Sequence, residues 1–266
     1  MTEKSIIHKN STLHYTVTGQ GTKNLLLFHG FGQDSRAFDA MAHEIQNEYT
    51  VYSVDLYFHG KSEWLYGEQP IDKAFWKDVM ETFLLENKIN SFVMAGFSLG
   101  CRFVLATTEE FPDRTEAIFL LAPDGIKTSF WFSISTYPYL FRKFFKSMIR
   151  HPARFKVIVN TLHELRLGDK GLLKFAEHQM NTEAKRKKVY YSWVVFRHLK
   201  FNLKHLITTI NTKRIPVTIV IGKKDHVITV KGMKKFVNQL KSGHLKILDA
   251  GHAGLLKDPA LVELFK

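Results

Sequence analysis

The 266-residue chain has a single cysteine, Cys101, so no internal disulfide can form, which fits a reducing compartment and also many exported bacterial proteins. It has no uninterrupted apolar run near the roughly 18 residues that a membrane-spanning helix needs. The opening Met1-Thr2-Glu3-Lys4-Ser5 lacks the apolar stretch of a secretory leader. These absences lead us to expect a cytoplasmic chain that neither spans a membrane nor is exported. There is no H-E-x-x-H or C-x-x-C spacing, hence no signature of a zinc or thiol-redox site. Internal repeats and low-complexity tracts are missing too, which argues against a solenoid or a disordered tail.

What the chain does have is an ordinary share of apolar residues, 45%, and of charged ones, 24%. Its length can bury one large core, so one core with an insertion is the simplest organisation. The net charge of +13 is unevenly spread. Residues 124–216 hold 19 Lys and Arg against 5 Asp and Glu, a net +14, whereas the remainder, with 19 basic and 20 acidic residues, carries −1. All the excess positive charge lies in one middle segment.

The pattern on either side of that segment alternates between strand and helix. Residues 5–9 and 13–17 flank the polar Asn10-Ser11-Thr12 and read as a β-hairpin. Short apolar runs follow at 24–28, 51–54, 91–95, 117–121, 217–221 and 245–248, most of them continuous rather than alternating, as strands covered on both faces should be. Amphipathic stretches at 35–49, with Asp34 or Ser35 as N-cap, and at 73–87, 99–110 and 231–241 predict helices between them. The expected fold is α/β: a mainly parallel, doubly wound sheet of about eight strands with helices on both faces. Residues 1–123 and 217–266 would form its core, and 124–216, where helical spacing replaces the alternation, a helical cap inserted over the sheet edge.

The strand at 92–95 runs into Gly96-Phe97-Ser98-Leu99-Gly100 and then into helix-forming residues. This is G-x-S-x-G in a strand-turn-helix setting. A nucleophile on so sharp a turn needs small residues two positions before and after it, so that strand and helix can approach. Ser98 would stand at a helix N-terminus, where the Leu99 amide points at an oxyanion and the helix dipole favours negative charge. Cys101, inside the predicted helix, reads as a small buried apolar residue rather than a nucleophile or ligand.

With these residues the chain resembles the α/β-hydrolase family, serine esterases and lipases with a helical cap, over nearly its whole length. His29-Gly30-Phe31-Gly32 after a strand resembles the family's H-G oxyanion motif, which implies Phe31 as the second backbone donor beside Leu99; read without the family, the two glycines merely turn the chain. Asp55-Leu56-Tyr57-Phe58-His59-Gly60-Lys61-Ser62 looks like the family's strand-end loop D-x-x-G-x-G-x-S, with Phe58 where glycine is usual.

A serine hydroxyl needs a base, and the base needs a partner that holds its tautomer. His252 follows the last predicted strand, in the kind of loop where open α/β sheets place their chemistry. Asp225 lies just beyond the penultimate strand, and the order Ser98, Asp225, His252 is the one expected of this fold. Asp124, after the preceding strand, is an alternative acid that a turn or cap explains equally well, and Asp249 reads as a turn residue. His226 adjoins Asp225, but neighbouring side chains usually point apart. The implied reaction is hydrolysis of a carboxylic ester or related acyl bond through an acyl-enzyme, with neither metal nor organic cofactor. Thioester, carbon-carbon bond and perhydrolase chemistry stay open on the same framework, as does a non-catalytic binding protein.

In the middle segment Tyr137, Leu140, Phe141, Phe144, Phe145 and Met148 share one helical face, read first as packing and otherwise as a basic-aromatic surface for lipid or an anionic substrate. The expected partner is a small acyl compound, acidic or lipid-like, with peripheral membrane contact through the cap as a further option. Lys185-Arg186-Lys187-Lys188 reads as a solvated helix face, and with no nucleic-acid-binding module around it we expect no nucleic-acid partner.

Overall fold

The computed structural model describes the backbone of residues 1–126, 130–164 and 170–266. The side chains of Phe130 and Trp131, which open the aromatic run, lie outside what it describes. Nine strands form one sheet among the described residues: β1 (Thr2–His8), β2 (Ser11–Thr18), β3 (Lys23–Phe28), β4 (Tyr49–Val54), β5 (Glu63–Trp64), β6 (Phe92–Phe97), β7 (Thr115–Leu121), β8 (Val217–Gly222) and β9 (Gly243–Leu248). The helices are α1 (Asp39–Ile45), α2 (Lys73–Glu86), α3 (Gly100–Glu110), α4 (Phe130–Thr136), α5 (Tyr139–Ser147), α6 (Pro152–Glu164), α7 (Lys170–Met180), α8 (Glu183–Val195), α9 (Leu203–Lys213), α10 (Val230–Val237) and α11 (Pro259–Val262).

The sheet runs β1-β2-β4-β3-β6-β7-β8-β9, with β5 on β2. From β4 to β9 all pairs are parallel, and β1 and β2 form the expected antiparallel hairpin, in register from Thr2 opposite Val17 to His8 opposite Ser11. Continuous apolar strands make sense because both faces are covered. In β3, Leu25 and Leu27 face a cluster with Phe38, Met41 and Ile45, while Phe28 packs on the opposite face against Trp76 of α2 and Phe103 of α3. The period of two along a strand thus feeds two separate cores. Trp76 and Phe103 meet edge to face at 4.8 Å, and the Trp76 indole donates to Thr107 Oγ1 at 2.9 Å, so the polar end of a fully buried ring is satisfied.

Two predicted helices are shorter than their patterns. The 35–49 stretch is a 3₁₀ turn, Ser35–Phe38, followed by α1, and Asp34 caps the turn by accepting from the Arg36 amide. Tyr49 instead opens β4 beside Lys23 and joins the buried cluster. The 231–241 stretch is α10, capped by Thr229 and ending at Val237.

By its internal contacts the chain divides into two units. The first comprises Met1–Tyr66, Asp72–Lys127 and Leu199–Lys266 and holds the whole sheet; α9, placed by sequence within the insertion, falls here. The second comprises Gly67–Ile71 and Thr128–His198. Its centre is aromatic: Phe145 packs on Tyr190 and Trp193, and Phe132 on Trp193. The basic run of α8 is not uniformly solvated. Arg186 is buried and donates to the carbonyls of Ile149 and Met180, groups left over where helical segments end. The predicted one-face aromatic stripe is interrupted by Pro138, which separates α4 from α5.

Phe103→Ala should lower the unfolding free energy by about 3–5 kcal/mol, because the cavity opens between two rigid layers. Urea denaturation would read this as a lower midpoint at unchanged slope.

Candidate active site

Four loops at the carboxyl ends of parallel strands carry the residues singled out by sequence: Phe31 after β3, Ser98 after β6, Asp225 after β8 and His252 after β9. Ser98 has a left-handed backbone, φ 49°, which costs a residue with a Cβ about 1–2 kcal/mol. The turn is held from both sides. The Ser98 amide donates to the Leu121 carbonyl at 2.8 Å, and the Ser98 carbonyl accepts from the amides of Cys101 and Asp124 at 3.0 and 3.2 Å. The flanking glycines allow the approach. A Cβ on Gly96 would lie 2.8 Å from the Cys101 nitrogen, and one on Gly100 would overlap the Phe28 carbonyl. Cys101 is fully buried, its thiol pointing to the Gly96 carbonyl at 2.9 Å, and burial pushes its pKa well up.

His252 bridges the other two residues. Its Nε2 stands 3.2 Å from Ser98 Oγ and its Nδ1 2.7 Å from Asp225 Oδ2. Asp225 Oδ1 accepts from the amides of Val227 and Ile228 at 2.8 and 2.9 Å. Burial raises the pKa of this carboxyl, but the His252 hydrogen bond and the two amides outweigh it and hold the value below the ordinary range. An ionised carboxylate only accepts, so Nδ1 carries the hydrogen and Nε2 is left with a lone pair facing the serine. The two loops are kept in step by backbone: the Lys223 amide donates to Leu248, and the Lys224 amide to Ala250. Phe97 packs its ring 5.1 Å from the imidazole. His226 is exposed while Asp225 is buried, so the neighbours do point apart, and Asp249 is exposed and paired with Lys224.

Asp124 is engaged elsewhere. The guanidinium of Arg102 binds it through two nitrogens, at 2.7 and 3.1 Å, and donates from a third to Leu199 O. Arg102 is only 3% exposed and the Asp124 side chain 32%. Sequence reasoning missed this pair; Arg102, an arginine within the apolar first half of α3, was the signal available.

The Phe31 and Leu99 amides donate to no other group among the described residues. The H-G motif does more than turn the chain. His29 is buried and accepts the Leu56 amide at Nε2, so its Nδ1 donates to the Gly30 carbonyl at 2.7 Å, which ties the β3 loop to the β4 loop. Asp55, another residue whose part was not foreseen, receives the amides of Ser35 and Lys61 and the Nδ1 of His14. Phe58 keeps the left-handed backbone that a glycine would supply, φ 68°. Among the described residues no group of three His, Cys, Asp or Glu side chains is arranged to hold a metal, and no helix is long and apolar enough to cross a membrane.

A profile of the family described as alpha/beta hydrolase fold matches residues 23–259. The chain belongs to that family. Two curated relatives of this α/β-hydrolase are the pimeloyl-acyl-carrier-protein methyl ester esterases of Nitrosomonas europaea and Cronobacter sakazakii. They are 23% and 25% identical over 123 and 108 residues, which is 46% and 41% of this chain and 46% and 39% of theirs. The chain therefore spans less than half the length of these relatives. Among solved structures, a thermophilic esterase from Thermogutta terrifontis has a TM-score of 0.73 at 17% identity, covering 99% of this chain and 96% of that one. MGS-M2, an α/β-hydrolase enzyme from a Medee basin deep-sea metagenome, has 0.71 at 15%, covering 98% and 96%. At such identities the likeness carries the fold alone.

Removing the carboxylate partner of a buried guanidinium is costly. Asp124→Ala should destabilise the protein by about 2–3 kcal/mol, below the range for fully buried pairs because water reaches the aspartate. Denaturant titration checks this, and a change within about 0.5 kcal/mol would show that solvent already screens the pair.

Proposed function

We propose that this α/β-hydrolase cleaves a carboxylic ester, with Ser98 as nucleophile, His252 as general base and Asp225 as the carboxylate that orients it. The observation that carries this reading is the unbroken hydrogen-bonded line from Asp225 through His252 to Ser98, ending on a serine held in left-handed backbone at the head of α3. His252 Nε2 takes the hydroxyl proton as Ser98 Oγ attacks the ester carbonyl, and Asp225 stabilises the imidazolium that results. The Phe31 and Leu99 amides receive the negative oxygen of the tetrahedral intermediate, where one such donor is worth about 3 kcal/mol. Collapse passes the proton to the departing alkoxide and leaves an acyl-serine. Water, deprotonated by the same histidine, attacks that acyl group, and the acid leaves as Ser98 regains its proton. The steps call on no metal or organic cofactor.

The methyl ester esterase activity of the two relatives supports an ester over the other acyl bonds that the same machinery could attack. A small acyl compound is the substrate class proposed. Thioester and ester turnover, measured on one acyl group with two leaving groups, separates the readings.

Ser98→Ala should abolish both turnover of a short-chain ester and covalent labelling by a fluorophosphonate, read as a mass shift on the intact chain. His252→Ala should be nearly as inactive, with a double variant no worse than either alone. Asp225→Asn should lower kcat on the order of 10⁴-fold, because the tautomer is no longer held, and Asp124→Asn far less. Labelling of Ser98→Ala at the wild-type rate, or the reverse ranking of the aspartates, would overturn the assignment. A wild-type chain that neither labels nor turns over any ester would be a binding protein on a hydrolase fold.

A further inference from the structure

Among the described residues, the exposed large apolar side chains of the second unit are concentrated on α5. Leu140 is 74% exposed, Phe141 51% and Phe144 43%, with Tyr139 exposed beside them, while Phe145 and Met148 turn inward. The helical spacing explains the division. Leu140 and Phe144 are one turn apart and lie on one margin of the apolar arc; Phe145 and Met148 lie on the other. A helix needs only the inner margin to pack, so three bulky apolar groups standing in water on the outer one are not accounted for by the core.

The charges around them are mostly of one sign, with the acidic Glu68 taken up by Lys146 of α5. Lys143, one turn from Leu140, is exposed, and so are Arg150, Arg154 and Lys156 just beyond the helix. From residue 125 to residue 163 the chain has no Asp or Glu at all. Val157, on α6, adds a further exposed apolar side chain, 63% accessible. An apolar strip among cations, on a helix too short to span a bilayer, has the chemistry of an interfacial segment. Its side chains suit the acyl boundary, and its cations suit phosphate and carboxylate headgroups.

We propose that α5 docks the protein on an anionic phospholipid surface, with Leu140, Phe141 and Phe144 entering the headgroup region and Lys143 and Arg150 binding lipid charge. Charge complementarity selects this occupant over a second copy of the chain, because a copy would bring the same cations against one another. The inference is independent of the ester-hydrolase reading, since it is read from binding and needs no turnover.

The test is co-sedimentation with vesicles of phosphatidylcholine alone and of phosphatidylcholine mixed with phosphatidylserine in equal parts. The wild-type chain should pellet with the anionic vesicles and stay largely in solution with the neutral ones. Leu140→Ser/Phe141→Ser/Phe144→Ser should lose the binding. Lys143→Glu/Arg150→Glu should weaken it by about fivefold or more for each cation lost, an effect that rises in low salt. All these side chains are exposed, so melting followed by circular dichroism should show midpoints near the wild type and separates lost binding from lost fold. Wild-type protein that stays in solution with both vesicle types would overturn the proposal, as would a triple serine variant that still pellets. Light scattering that shows a dimer, dissolved by the same variant and without vesicle binding, would assign the strip to a second copy instead.

Discussion

The carboxyl edge of the sheet depends on how closely the first turn of α3 can come down on the end of β3. Gly100 lies against the Phe28 carbonyl and Gly96 against the Cys101 amide, and a methyl group at either place would push helix from strand. With that contact made, Ser98 has little choice but a left-handed backbone. The strain is local, and it is held by backbone alone, the Ser98 amide donating to Leu121 and the Asp124 amide to the Ser98 carbonyl, so the side chain is left to face His252. The same turn leaves the Leu99 amide at the head of the helix.

A second constraint is carried by two backbone hydrogen bonds between the loops after β8 and β9. Asp225 and His252 are 27 residues apart, yet the Lys223 and Lys224 amides reach the Leu248 and Ala250 carbonyls, and the parallel register brings the two side chains to the same height. The carboxylate is then fixed at both oxygens, one by imidazole and one by two amides. Orientation here costs little at the moment of use, because backbone groups that would need partners in any case supply it.

Much of this was legible in the sequence, and the residues show why. Continuous apolar runs flanked by helical periodicity report a two-faced sheet directly, and G-x-S-x-G between a strand and a helix reports a close approach that only glycine permits. Strand ends were legible too, and they put Ser98, Asp225 and His252 at one edge of the sheet. Which strand-end aspartate meets the histidine was legible only through chain order, which favours Asp225 and leaves Asp124 as an alternative. Asp124 and Asp225 look alike in one dimension; what separates them is Arg102, whose guanidinium comes to Asp124 only because α3 and the loop after β7 fold together. Were Asp124 to serve the histidine it would have to release a nearly buried arginine, which costs more than a hydrogen bond returns. Helix ends were misjudged for a similar reason. Tyr49 fits the amphipathic pattern of α1, but pairing beside β3 and burial in the cluster outweigh a propensity worth a few tenths of a kcal/mol.

The basic middle segment shows the same gap between counting and placing. A net of +14 over residues 124–216 is a sum over side chains that do different work. Arg186 is spent on helix-end carbonyls, Lys146 binds Glu68, and Lys187 binds Glu183 one turn away. Charge neutralised within a few ångströms projects little field beyond the Debye length of about 8 Å at physiological ionic strength. Lys143, Arg150, Arg154 and Lys156 differ, because they are exposed in a stretch with no acidic residue. These cations of α5, α6 and the turn between them face solvent without a carboxylate in their own stretch of chain to offset them. Electrostatic attraction can therefore act on whatever approaches the outer margin of α5, the same place where three apolar side chains stand in water.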